Sequence, residues 1–209
     1  MSFFRNQFRI ESARLPDWDY SAPGAYFITI CTKNRARLFG DVIRGNMVLN
    51  DAGKIVQDEW LKSFAIRAEL TPDAFCVMPN HIHGIVFIEP NSMVETHGRA
   101  SLPFASLPFA SLPFASLPFA SLPSASPQVG KKMPNRKPKS ISSFVAGFKS
   151  ASTSQINRLY GTPRRPVWQP RFYDHIIRDE RALAAIRQYI HNNPADWVKD
   201  DYFEPEGGP

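Results

Sequence analysis

The sequence predicts an α+β fold, a ferredoxin-like split βαβ sandwich with an antiparallel sheet, an extra C-terminal helix and a disordered low-complexity insert. Three observations carry this reading. Apolar runs of strand length alternate with helix-period segments in the order β α β β α β α. The second and third strand runs are parted only by Pro79-Asn80, a turn signal that makes them an antiparallel hairpin. The pentapeptide SLPFA then recurs four times in tandem from Ser101 to Ala120 and separates the hairpin from the second half of the pattern.

The elements follow in chain order. Residues 25–32, AYFITICT, are rich in aromatic and β-branched side chains and read as a buried strand. Residues 51–64 place Ile55, Val56, Trp60, Leu61 and Phe64 at helical spacing. The runs 74–78 and 81–88 form the hairpin. Proline at every fifth position of the repeat blocks both a continuous helix and a paired central strand, so residues 89–139 read as a disordered surface insert. It is either a tolerated expansion or a docking arm built from Leu-Pro-Phe. Residues 140–160 carry a helical stripe of Phe144, Phe148, Ile156 and Leu159, with Gly161 placed to end the helix. Residues 167–178 read as a strand that Pro170 pushes towards an edge or bulge. Asp179 is placed to cap a last helix from Glu180 to about Asn192, which Pro194 stops. The expected organisation is an N-terminal extension (1–19), one domain built from 20–88 and 140–197, the insert (89–139), and an acidic tail (198–209).

Composition narrows the function classes. A chain of 209 residues with 43% apolar and 21% charged side chains is a globular domain, not a disordered one. No apolar run approaches the roughly 18 to 20 residues that cross a bilayer, so no membrane partner is expected. Cys31 and Cys76 are too few for a disulfide framework or a Cys-based zinc site, and read as reduced core residues of a cytoplasmic protein. The net charge of +6 favours a polyanionic partner. It is unevenly spread: residues 131–171 hold 10 basic side chains and no acid, while residues 172–209 hold 4 basic and 8 acidic ones.

Two constellations carry chemistry. His81 and His83 alternate on a strand, so both imidazoles point to one face while Ile82 points to the other. That is the convergence a divalent metal requires, and it is equally the pattern of two hydrogen-bonded surface histidines. Tyr189 and Asn193 stand four apart on the last helix and share a face. They offer a phenolic nucleophile with a carboxamide oxygen, or simply a half-buried tyrosine and a helix stop. A free phenol with a pKa of about 10 is a weak nucleophile, so catalysis by Tyr189 needs a cation close by.

Four segments, CVMPNHIHGIVFI, the helix 141–160, VWQPRFYDHIIR and IRQYIHNNP, closely resemble the REP-associated tyrosine transposases. These are single-tyrosine HUH transposases, named for a His-hydrophobic-His motif, and the resemblance runs from about Tyr20 to Trp197 without the repeat block. It implies a DNA transposase, an endonuclease and strand transferase of a mobile element. His81 and His83 would be metal ligands, Asn193 the third ligand and Tyr189 the nucleophile. The family's ion is Mg²⁺ or Mn²⁺, whereas ligand softness alone would suggest zinc. Single-stranded or hairpin DNA is the implied partner, bound by a monomer or homodimer. The basic residues Lys33, Arg35, Arg37, Lys149, Arg158, Arg164, Arg165 and Arg171 would then line the DNA path. Trp168, Phe172 and Tyr173 either stack bases or pack the core. Tyr173 shares a strand face with His175 and is the rival nucleophile; Tyr160 abuts Gly161, and Tyr202 lies in the acidic tail. The alternative from another class is a domesticated, non-catalytic protein that binds DNA hairpins.

Overall fold

The structure is a computed structural model that describes residues 18–90 and 139–203, with the backbone of two short paired strands nearer the N-terminus, β1 (Phe3–Phe4) and β2 (Gln7–Phe8). Apart from its ends, the expected repeat insert lies outside the described residues.

The remaining elements are β3 (Gly24–Cys31), β4 (Gly40–Ile43), β5 (Asn46–Leu49), α1 (Asp51–Ala65), β6 (Leu70–Val77), β7 (His81–Ile88), α2 (Ile141–Leu159), β8 (Tyr173–Ile177) and α3 (Glu180–Asn192). Four strands form one antiparallel sheet in the order β6-β7-β3-β8. This is the split βαβ arrangement: β3 and β7 lie side by side at the centre, and α1 and α2 connect outwards to the edge strands. The α+β class and the order of the seven predicted elements are those observed.

Side chains alternate across the sheet, and the two faces differ. Tyr26, Ile28 and Ile30 of β3 and Ile82, Val86 and Ile88 of β7 face α1 and α2, where they pack with Trp60, Phe144 and Phe148. Trp60 sits at the centre, stacked on Phe75 at 4.3 Å and edge-on to Phe144 and Phe148. Gly84 of β7 makes room for it, because a Cβ there would lie 2.5 Å from the Trp60 ring. The opposite face carries His81, His83, Ile85 and Phe87 and is covered in part by α3 through Leu183 and Ile190.

The helices begin where side-chain caps satisfy their first amides. Asn50 accepts from the Gly53 amide, Ser140 from that of Ser143 and Asp179 from that of Ala182. Gly161 takes φ +61 just beyond α2, as its placement after the helix predicts. Three features depart from the sequence reading. A hairpin, β4–β5, fills residues 40–49, turning through Arg44 and Gly45, both at positive φ. β6 starts at Leu70 rather than residue 74. It accommodates Pro72 because it is an edge strand with an irregular register between Pro72 and Phe75. The strand expected over 167–178 is regular only from Tyr173, with Trp168 joined to Thr32 by a single bridge. No described helix is long and apolar enough to cross a membrane.

Candidate metal centre and tyrosine

The hairpin turn places His81 at the first position of β7. Pro79 and Asn80 are buried, and the Pro79 carbonyl accepts from the Leu38 and Phe39 amides. Asn80 donates from Nδ2 to the Tyr202 carbonyl at 2.7 Å, which turns its Oδ1 towards His81 Nδ1, 2.8 Å away. Asn80 therefore accepts the Nδ1 proton, and His81 Nε2 carries a lone pair. On the neighbouring strand Thr29, directly opposite His83, holds His83 Nδ1 at 2.8 Å from its hydroxyl. The two Nε2 atoms meet at 3.0 Å.

Both imidazoles are neutral. Burial lowers the His81 pKa to about 3, helped by the Arg35 charge; burial and the neighbouring His81 lower that of His83 to about 3 against the opposing pull of Asp200. The 4.0 Å approach of His81 Nε2 to Asp200 Oδ2 is therefore not an ion pair between two charges. Two neutral rings meeting at Nε2 have two arrangements open. Either His83 donates its single proton to His81, with Thr29 donating to Nδ1, or Thr29 accepts from Nδ1 and both lone pairs face a cation.

Asp200 adds a third donor to the second arrangement. Its carboxylate forms a group with His81 and His83 whose ligand atoms lie within 4.8 Å of one another. Asn193 donates to Asp200 Oδ2 at 2.7 Å, and the Tyr202 amide donates to Oδ1 at 2.7 Å. Asn193 is itself buried, and its Oδ1 has no hydrogen-bond partner among the described residues. An orphaned buried acceptor beside two lone pairs and a carboxylate is a donor set that fits a divalent cation.

Tyr189 stands over this group. Its hydroxyl is 3.1 Å from His83 Nε2 and donates to Asp200 Oδ2 at 3.5 Å. Burial first, and the Asp200 charge second, hold its pKa above the ordinary phenol value. Tyr189 of α3 and Asn193, its C-cap, share one face as their spacing predicts, and both reach the Asp200 carboxylate. Tyr173 meets Phe27 edge-on instead of the histidines, and Tyr160 is exposed beyond α2. The thiols of Cys31 and Cys76 are pushed by burial to about 11 and about 12, which makes them poor nucleophiles.

The basic residues separate into two groups. The Arg35 guanidinium lies 5.5 Å from the Tyr202 ring centre, and that of Arg37 lies 5.4 Å from Phe203 and 5.9 Å from Trp197. Lys149 donates to the Gln169 and Arg171 carbonyls. These three make contacts within their own chain. Lys33, Arg158, Arg164, Arg165 and Arg171 are exposed, and the Lys33 backbone N–H donates a hydrogen bond to the Val167 carbonyl, which ties it to the 162–167 loop. Trp168 is buried and Phe172 half-buried in the core, while Tyr173 is exposed.

Asp200, Asn80 and Thr29 are the site residues that sequence reasoning missed. Asp200 and Tyr202 belong to a stretch read as acidic tail. The 3-10 turn Trp197–Lys199 instead folds it back, so that Tyr202 lies 4.8 Å and Trp197 5.9 Å from the His81 ring. The available signal was aromatic: a solvated acidic tail has no use for Tyr202 and Phe203.

In class, the chain has the fold of a tyrosine transposase. The structure of the REP-associated tyrosine transposase bound to a REP hairpin aligns with 97% of this chain and 76% of its own, at a TM-score of 0.50 and 18% identity. No family model matches the sequence. The chain belongs to one family with a Haemophilus influenzae protein described as uncharacterized, with which it is 34% identical over 192 residues, 92% of each chain.

Proposed function

We propose that this protein is a metal-dependent, single-tyrosine DNA strand transferase of the HUH transposase type, acting on single-stranded or hairpin DNA. The observation that carries the reading is the approach of the Tyr189 hydroxyl to within 3.1 Å of His83 Nε2, over a His81–His83–Asp200 group. The fold of the REP-associated tyrosine transposase supports it.

His81, His83 and Asp200 would hold the cation, with Asn193 Oδ1 as a further oxygen donor; Mg²⁺ or Mn²⁺ is the ion proposed. When bound, such an ion withdraws charge from a DNA phosphate. Tyr189 Oη forms a bond to phosphorus as the bond from phosphorus to the 3'-oxygen breaks, leaving a 5'-phosphotyrosine and a free 3'-hydroxyl. With the His83 Nε2 lone pair committed to the cation, the Asp200 carboxylate, its Oδ2 3.5 Å from the phenol, is the acceptor for the phenolic proton, and the leaving 3'-oxygen takes up a proton as it becomes the hydroxyl. Rejoining reverses the step: a 3'-hydroxyl attacks the phosphotyrosine, so bond energy is conserved and no nucleotide cofactor is consumed. Exposed Lys33, Arg158, Arg164, Arg165 and Arg171 would contact phosphates.

The test is incubation with end-labelled, hairpin-flanked single-stranded DNA and Mn²⁺ or Mg²⁺, followed by denaturing electrophoresis. The reading predicts a denaturant-resistant adduct that EDTA abolishes and Tyr189→Phe cannot form. Hairpin binding without an adduct across several candidate hairpins would move the protein to the non-catalytic class.

A further inference from the structure

We propose that Tyr173 is a nucleobase platform: an unpaired base neighbouring the phosphate at Tyr189 stacks on the exposed Tyr173 ring. This rests on the DNA-cleaving reading above and adds the residue that holds the single strand.

Register fixes the location. Cys76 pairs with His83, His83 with Thr29, and Thr29 with Tyr173, so the four form one row across the sheet. Directly paired residues project to the same face. Tyr173 therefore stands on the face of the histidine pair, two strand spacings, or about 10 Å, from the His83 backbone. It lies on the sheet's outermost strand.

Its surroundings distinguish it from a packing residue. The ring is 43% exposed, and among the described residues its one ring neighbour is Phe27, edge-on at 6.3 Å. Its hydroxyl has no hydrogen-bond partner among the described residues. A tyrosine retained for packing buries its ring or commits its hydroxyl, and Tyr173 does neither. Phe27 connects it to the chemistry, since the same ring stacks on His83 at 5.4 Å and meets Tyr189 edge-on at 6.2 Å. Arg171 and Arg178, both exposed, flank the strand and suit a phosphate backbone running along it. Aromatic stacking is tolerant of sequence because every base has a π-face. Two of the exposed tyrosines thus divide the work: the Tyr189 oxygen reacts, and the Tyr173 ring holds the neighbouring base.

The experiment places 2-aminopurine at successive positions of the single strand flanking a hairpin and titrates the full-length protein in EDTA, so that no cleavage intervenes. Wild type is expected to quench fluorescence at one position, and Tyr173→Phe to retain both quench and affinity. Tyr173→Ala should lose the quench and bind the flanked hairpin about 5- to 150-fold more weakly, the equivalent of one base stack. Its affinity for a blunt hairpin and its thermal midpoint should stay at the wild-type values. Persistence of the quench in Tyr173→Ala overturns the proposal, as does equal weakening on blunt and flanked hairpins. Wild-type binding without a quench at any position overturns it too, and leaves the DNA-cleaving reading intact. Failure of wild type to bind any DNA overturns both.

Discussion

The two faces of one strand, β7, serve opposite ends. Ile82, Gly84 and Val86 turn towards α1 and α2 and enter an apolar layer centred on Trp60, where they contribute shape alone. His81 and His83, their immediate neighbours in sequence, turn to the other side and are just as buried, but among lone pairs, a carboxylate and an orphaned amide oxygen. A period of two is enough to separate stability from chemistry. The apolar face fixes the strand, and the strand then fixes the Nε2 atoms 3.0 Å apart without any flexible loop between them.

The comparison breaks first on the apolar side. Trp60→Ala should cost about 3–5 kcal/mol by chemical denaturation, through loss of the ring and the cavity left behind. Gly84→Ala should cost about 1–3 kcal/mol, because its methyl group meets the same ring. A Gly84→Ala chain as stable as wild type would show that Trp60 yields easily. On the polar side, Thr29→Val removes the hydroxyl at His83 Nδ1 and is expected to weaken Mn²⁺ affinity about 10- to 100-fold by calorimetry, with little change in fold. If affinity is unchanged, the second arrangement of the imidazoles is not the one that binds the ion.

Protonation sharpens the contrast further. In the unfolded chain each histidine titrates near 6.5, and in the fold near 3. Between those values the unfolded chain binds more protons, so this contribution to stability is complete above pH 6.5 and declines as pH falls towards 3. The metal-free wild type should thus lose more denaturant resistance between pH 7.5 and pH 5 than a His81→Gln/His83→Gln chain. The smallest effect is expected at the rim. Arg164→Ala and Arg165→Ala should each weaken DNA binding uniformly across sequences and reduce the salt slope by about one.

Much of this was legible in the sequence because it is local. Strand alternation put His81 and His83 on one face, helical spacing joined Tyr189 to Asn193, and Pro79-Asn80 marked the turn that positions the pair. The β4–β5 hairpin escaped because its strands are short and Arg44-Gly45 is a weak turn signal. Asp200 escaped for a different reason: it reaches the site only because Trp197 and Tyr202 pack back onto His81, a contact between residues more than a hundred positions apart. Charge was legible in sum but not in placement: Arg35, Arg37 and Lys149, expected along the DNA path, also contact aromatic rings and carbonyls of their own chain.

The most direct measurement is mass-spectrometric mapping of the residue that carries DNA after incubation with a hairpin-flanked single strand and Mn²⁺. The geometry predicts a phosphotyrosyl nucleotide on the peptide containing Tyr189. A nucleotide found on Tyr173 or Tyr202 instead would contradict the account.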